Sequence, residues 1–421
     1  MRHFPAARAM HLLFLSSLLP QDNPASGFEI ANAAIVAAYR RLGVAVTPAG
    51  FRRPGAPPAR EGEIDLGSLD IENARVSKAR KALWVAKALA SGLPVSAAKL
   101  TGLGRADLVA RLESAGPLDG LVLNAVQMPA AYPFLATWKP SIFVAHNVEH
   151  RSARENAAAA TGRVTRVLYA REARLLEAVE ARLCAAARVV HTLSREDKAG
   201  LGLGAAPHCL PLALTIGRPQ RPDDGVRERD IGLIGTWSWA PNRHGLDWFV
   251  AHVAPRLPAD MTVSIAGRFD GPPPAAPANV RFVGRVEDAQ DFVRRSRVIA
   301  LATRGGTGIQ LKTIETFEEG MPAVATPQAL RGVDALPSNV RVAEAPADFA
   351  AALVALVEAE RRGETIRGEG GAFARAQGQA LDRALAAGLE SFGGAGRSRR
   401  AAVPARACAE SPPLAARASL R

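Results

Sequence analysis

Short, mostly apolar runs recur along this chain, each closed by turn residues and each succeeded by a stretch with helical spacing. They fall at residues 121–124, 141–145, 189–192, 231–235, 262–266, 298–302 and 322–326. Runs this short read as buried strands, and strands alternating with helices build parallel sheets, which predicts an α/β fold. A length of 421 residues exceeds what one core usually serves, so two domains are expected. A stretch rich in Pro, Gly and charge, residues 217–230, marks the linker between them. The reading is a Rossmann-like domain over 10–216, a second over 231–372, and a packing helix over 373–393. Each half is expected to be a doubly wound sheet, facing its partner across a cleft at the carboxyl ends of the strands, where such sheets bind ligands.

The start of the chain admits two readings. Residues 10–19 are apolar after Arg2 and Arg8, as in the core of a secretory signal peptide or a first buried strand. The next residues favour the strand: a loop over 20–27, then a helix over 28–42 with Ile30, Ala34, Ala37, Ala38 and Arg41 at helical spacings. Gly43 stops that helix and a second strand runs over 44–47. Cleavage would remove the first strand of this unit, so residues 1–9 are read as a leader without structural role and the protein as cytoplasmic. Cys184, Cys209 and Cys408 form no C-x-x-C pair and are odd in number, which fits a reducing compartment and no structural zinc.

Apolar residues make 48% of the chain and charged residues 22%, an ordinary globular balance, yet the formal net charge is +13. That excess attracts polyanions. Aromatic residues are only 5%, and no helix-turn-helix, RRM or zinc module appears, so nucleic acid is not an expected partner. Part of the charge sits in residues 394–421, a Pro/Ala/Ser-rich tail with six arginines from Arg397 onward against Glu410, read as disordered. A helical zone over 157–187 alternates Arg and Glu opposite Leu168, Leu175, Leu176, Val179 and Leu183. It reads as one helix with a solvated face and no chemistry.

Chemistry concentrates at 301–317, Leu-Ala-Thr-Arg-Gly-Gly-Thr-Gly-Ile-Gln-Leu-Lys-Thr-Ile-Glu-Thr-Phe. A strand is expected to end near Thr303, a glycine loop to expose its amides, and a helix to begin near Ile309. Amides at a helix amino end face an anion, and glycines let that anion approach the backbone. Arg304 and Lys312 add positive charge. Glu315 lies one turn past Lys312, where a carboxylate can accept hydrogen bonds from sugar hydroxyls. The order of residues matches neither a Walker A loop nor G-x-G-x-x-G. The plain alternative is an exposed ion pair between Lys312 and Glu315 on an ordinary strand-to-helix turn.

The surrounding block resembles the donor-binding half of family 4 retaining glycosyltransferases of the GT-B fold. The resemblance rests on Ile-Gly-Leu-Ile-Gly-Thr-Trp-Ser-Trp-Ala-Pro-Asn at 231–242, Trp248-Phe249, Ile265-Ala-Gly-Arg268, Val280-Arg-Phe-Val-Gly284, the glycine loop, and Pro322-Ala-Val-Ala-Thr326. In the first half it is carried by Ser26-Gly27, His146-Asn-Val-Glu-His-Arg151 and His191-Thr-Leu-Ser194. Pro241-Asn242 stands where most of the family has an Arg and a Lys, as in members similar to polysaccharide-assembly enzymes.

The resemblance implies two facing Rossmann-like domains and transfer of a sugar from a nucleoside diphosphate sugar to an acceptor hydroxyl, with retention. Lys312 and Arg304 would hold the donor diphosphate, and Glu315 the ribose, as the second glutamate of the family's E-x7-E pattern. Thr307 stands in place of the first glutamate, so Gly306, Thr307, Gly308 and Ile309 would position the transferred sugar or phosphate. His146 would meet the donor sugar or order the acceptor, with Glu149 and Arg151 as further candidates. Ser26 and Gly27 would offer amides to the diphosphate, and Gly284 and Arg285 would lie beside the base. No Asp-x-Asp stands near a strand end, which agrees with a metal-independent reaction and no cofactor. Expected partners are the nucleotide-sugar donor, a saccharide or lipid-linked acceptor, and the anionic inner membrane face. A non-catalytic donor-binding protein and a nucleotide-sugar epimerase are the competing readings.

Overall fold

The computed structural model describes residues 9–21, 26–70, 76–269 and 271–401. Residues 1–8 of the expected leader and 402–421 of the expected basic tail lie outside the described residues. The first sheet holds β1 (His11–Leu18), β2 (Ala45–Arg52), β3 (Ile64–Ser68), β4 (Gly120–Asn124), β5 (Ser141–Ala145), β6 (Val189–Thr192) and β7 (Cys209–Pro211). The second holds β8 (Arg229–Thr236), β9 (Val263–Arg268), β10 (Val280–Gly284), β11 (Ser296–Leu301), β12 (Ala323–Ala325) and β13 (Val340–Val342). Their orders are β3-β2-β1-β4-β5-β6-β7 and β10-β9-β8-β11-β12-β13, with parallel pairing throughout.

The helices around the first sheet are α1 (Gly27–Arg41), α2 (Lys78–Ser91), α3 (Val95–Ala98), α4 (Arg105–Glu113), α5 (Gln127–Ala131), α6 (Leu135–Trp138), α7 (Glu149–Ala159), α8 (Arg163–Ala186) and α9 (Arg195–Gly200). Those around the second are α10 (Ala240–Trp248), α11 (Ala289–Arg294), α12 (Leu311–Glu318), α13 (Pro346–Arg361) and α14 (Gly370–Ala401).

Both sheets are buried on both faces, which is why their strands read as unbroken apolar runs. Leu13 and Leu15 of β1 enter one core cluster, while Leu12 and Phe14 enter the other. In the second sheet Val298 and Ala300 of β11 face one cluster, and Ile299 and Leu301 the other. Each fully buried Leu or Phe side chain contributes about 1.5–3 kcal/mol, so alternation of cluster along a strand doubles what each strand gains.

The expected helix over 157–187 is two helices. The chain breaks after Ala159, and α7 and α8 pack as an antiparallel pair, placing α7 at the carboxyl end of β5. The last helix also extends past the expected end at 393, reaching Ala401. It comes after the second domain in sequence but docks on the first: Leu381, Leu385 and Phe392 complete the cluster of Leu12, Phe14 and Ile142. Gly120 makes room for the Phe392 ring, which a Cβ at that position would strike.

Candidate active site

Two helix amino ends meet between the sheets. In α1, Ser26 is the N-cap: its Oγ accepts the Glu29 N–H at 3.4 Å, and its hydroxyl donates to Glu29 Oε2 at 2.9 Å. Gly27 then lies so close to α12 that a Cβ there would sit 3.1 Å from Leu311 Cδ1. Leu311 and Ile309 in turn pack against the apolar cluster of the first sheet. The positive ends of α1 and α12 therefore share one region, where their partial charges add.

The glycine loop between β11 and α12 folds as its composition demands. Gly305, Gly306 and Gly308 have φ of 87°, 80° and 76°, a region costly for residues with a Cβ. Space forbids substitution as well: a Cβ on Gly306 would sit 2.7 Å from Pro241 Cγ, and one on Gly308 would strike Asn147 Oδ1 and lie 2.7 Å from the His146 carbonyl. The loop is thus pressed between the first strand-to-helix turn of its own sheet and the end of β5 across the cleft.

Lys312 points its Nζ to Asn242 Oδ1 at 2.9 Å, with the Trp237 ring centroid 5.7 Å away. Burial lowers its pKa from the usual 10.5 to about 8. Glu315 does not form the exposed pair with Lys312; its carboxylate binds the Arg218 guanidinium of the linker instead. Burial raises the Glu315 pKa, opposed by Arg218. Glu318 straps the same linker, accepting from Thr215 Oγ1 at 2.6 Å and from the Ile216 N–H at 2.9 Å. Arg304 turns elsewhere: its guanidinium lies 4.9 Å from the Trp248 ring centroid and 3.5 Å from the Glu344 carbonyl. Gly284 and Arg285 close β10 at the sheet edge, with β9 and β8 between them and the loop after β11. At about 4.8 Å per strand, that separation is roughly 14 Å.

On the first-domain side, His146 comes directly after the last residue of β5. Its Nε2 lies 2.8 Å from Asn124 Oδ1. Asn124 Nδ2 donates to Asn32 Oδ1 at 2.7 Å and to Ser16 Oγ at 3.4 Å, and Asn32 Nδ2 donates to Ser16 Oγ at 3.1 Å. With Asn124 Nδ2 committed, Asn124 Oδ1 accepts, so His146 Nε2 carries the hydrogen and Nδ1 keeps its lone pair. Burial lowers the His146 pKa to about 4, leaving a neutral ring with one acceptor atom. Ala125, directly after Asn124, holds φ at 69°, an unusual value for a residue with a Cβ and the kind of local strain that clusters at ligand sites.

The structure therefore brings together Ser26, Gly27, His146, Gly306, Thr307, Gly308, Ile309 and Lys312. Several of their neighbours carry no signal in the sequence. Thr307 Oγ1 lies 2.8 Å from Ser152 Oγ, the Gly306 N–H reaches Glu155 Oε2 at 2.9 Å, and the Gly308 N–H reaches both Asp197 oxygens at 3.1–3.2 Å. Arg331 donates to the carbonyls of Gly305, Gly306 and Gly308. Ser194-x-x-Asp197, a helix-cap pattern, is the one local signal among them, since Ser194 Oγ accepts the Asp197 N–H at 3.0 Å.

Residues 228–359 match the family model described as glycosyl transferases group 1. No curated protein sequence matches the chain. Among solved structures it is similar to sucrose-phosphate synthase from Thermosynechococcus elongatus, with 16% identity and a TM-score of 0.60 over 94% of this chain and 100% of that one. It is similar to Anabaena HepE in complex with UDP and glucose, with 15% identity and a TM-score of 0.56 over 91% and 100% of the chains. It is also similar to WaaG, a glycosyltransferase involved in lipopolysaccharide biosynthesis, with 13% identity and a TM-score of 0.52 over 90% and 98%. Identities this low speak to architecture. The chain has the GT-B fold, two facing Rossmann-like domains, and its second domain carries the match to glycosyl transferases group 1.

Proposed function

We propose that this protein transfers a sugar from a nucleoside diphosphate sugar to an acceptor hydroxyl, with retention at the anomeric carbon. One observation carries the reading: a partly desolvated lysine, Lys312, stands beside the converging amino ends of α1 and α12. As the glycosidic bond opens, charge grows on the leaving diphosphate. A cation and amide dipoles fixed around that charge stabilise the transition state more than the ground state. The Lys312 ammonium takes the part that a metal ion plays elsewhere, so the proposed reaction is metal-independent.

His146, neutral and with a free Nδ1, is suited to accept a hydrogen bond from a sugar hydroxyl and not to neutralise phosphate. Thr307 has a hydroxyl at the same junction. Glu315 would reach the ribose only by exchanging its bond with Arg218, and Arg304 would have to leave Trp248. The similar solved structures include one bound to UDP and glucose, which supports a nucleotide-sugar donor. We place the reaction in the assembly of cell-surface polysaccharide or glycoconjugate, with a saccharide or lipid-linked acceptor at the cytoplasmic face of the membrane. No helix among the described residues is long and apolar enough to cross a membrane. Contact with anionic lipid would be peripheral, through the arginines at 397–421, and salt would weaken it.

The test is release of nucleoside diphosphate from a panel of donors, with and without candidate acceptors. Acceptor-dependent release supports transfer. Tight donor binding without release favours the non-catalytic reading, which the threonine at 307 and the carboxylates on the loop amides make the second choice.

A further inference from the structure

The loop at 305–308 already holds anions. Gly305, Gly306 and Gly308 have positive φ, and the amides of Gly306 and Gly308 serve as a nest for anions. Two carboxylates of the first domain occupy it, Glu155 on the Gly306 N–H and Asp197 on the Gly308 N–H. Their settings differ. Asp197 is 2% exposed, stands at the capped start of α9, and lies near Arg331, which grips the loop by three carbonyls. Glu155 is exposed on α7. An exposed carboxylate can leave for water at little cost, whereas a buried one cannot.

We propose that Glu155 is a displaceable positioning residue: before donor binding it occupies the place of a donor phosphate oxygen on the Gly306 amide, and an incoming diphosphate exchanges for it. Asp197 and Arg331 are the fixed frame that keeps the nest in shape during the exchange. The diphosphate carries more charge than one carboxylate and competes for the same N–H. Two polar atoms beside the loop, Thr303 Oγ1 and Gln310 Nε2, are buried without a partner among the described residues and would gain one from a ligand. Because Glu155 sits on α7, the exchange also frees one of the ties between the two domains, leaving the Thr307–Ser152 contact in place. The proposal rests on the donor-binding reading and adds to it the group that the donor displaces.

Calorimetric titration of the full chain with pyrophosphate and with UDP tests this. Glu155→Gln leaves a neutral acceptor but removes the competing charge and its repulsion, and should tighten both ligands about tenfold. Glu155→Asp keeps the charge and should restore most of the wild-type weakness, which a purely structural role would not do. Asp197→Asn should weaken both ligands, since it loosens the frame. Equal or weaker binding in Glu155→Gln overturns the exchange. If UDP binds wild type and Glu155→Gln equally, the donor reading stands and the exchange falls. If neither binds any nucleoside diphosphate while Glu155→Gln holds pyrophosphate more tightly than wild type, the exchange stands and the donor reading falls.

Discussion

Across the cleft, Ser16, Asn32, Asn124 and His146 form a chain of neutral hydrogen bonds, while the opposite side presents Lys312 and Arg331. The neutral chain satisfies its own donors and acceptors, so burial costs little and leaves one free acceptor on His146. The cationic side is less settled: burial holds the Lys312 pKa at about 8, and its side-chain partner is the neutral Asn242. A half-buried cation whose side-chain partner is neutral calls for an anion, and the neutral hydrogen-bond chain across the cleft calls for hydroxyls. A sugar joined to a diphosphate has both.

The largest effect should come from the cationic side. Lys312→Ala is expected to reduce donor affinity or turnover about 10²–10³-fold, whereas His146→Ala should cost roughly tenfold, measured as kcat/KM with the best donor. Equal losses would erase the distinction between the two walls. Acid tests the neutral side next. His146 and His191 both have pKa values lowered by burial to about 4, against 6.5 in the unfolded chain. Their contribution is whole above pH 6.5 and drains away as the pH falls towards 4. Urea midpoints should therefore show a loss on the order of 3 kcal/mol between pH 7 and pH 5. A flat profile would mean that these rings are not buried as described.

Within the neutral chain, Asn124→Leu strands the His146 Nε2–H and Asn32 Oδ1, and should lower stability by about 1–3 kcal/mol by denaturant titration. A change within a few tenths would show that the chain does not act as a unit. The smallest effect belongs to alkali. Above pH 8 the free Lys312 loses its proton, and a bound anion restores it. Donor binding at pH 8.5 should therefore take up as much as about one proton and weaken as pH rises, read from calorimetry in buffers of different ionisation enthalpy.

Most of the β-strands and the glycine loop are legible in the sequence because their signals are local: apolar runs buried on both faces, and clustered glycines before an amphipathic helix; the three-residue strands β7 and β13 give no such run. Residues 48–119 are silent. There β3 is a short edge strand whose residues Asp65 and Gly67 are half-buried, and α2 buries only Trp84 and Ala88. The face of α1 also differs from the expected one. Asn32 and Ile35 are buried there, and Ile30 and Ala34 are only half-buried, because a polar residue inside the core does not look like core. The roles of Glu155 and Asp197 on the loop are invisible for another reason, although Ser194-x-x-Asp197 shows a helix cap. Their partners lie more than 100 residues away, and charged helices look solvated until their neighbours are known. The resemblance to glycosyltransferases suggests roles for single residues, but not that Glu315 and the loop amides are already engaged.

Thermal unfolding in the presence of UDP-, GDP- and dTDP-sugars, wild type beside Lys312→Ala, bears most directly on the anion-and-hydroxyl cleft. At ligand about 100-fold above Kd, binding adds about 2.7 kcal/mol. The midpoint of the wild type should then rise by several degrees with at least one donor, and that of the variant should not move. No shift with any donor, or the same shift in both proteins, would contradict the proposed role of Lys312.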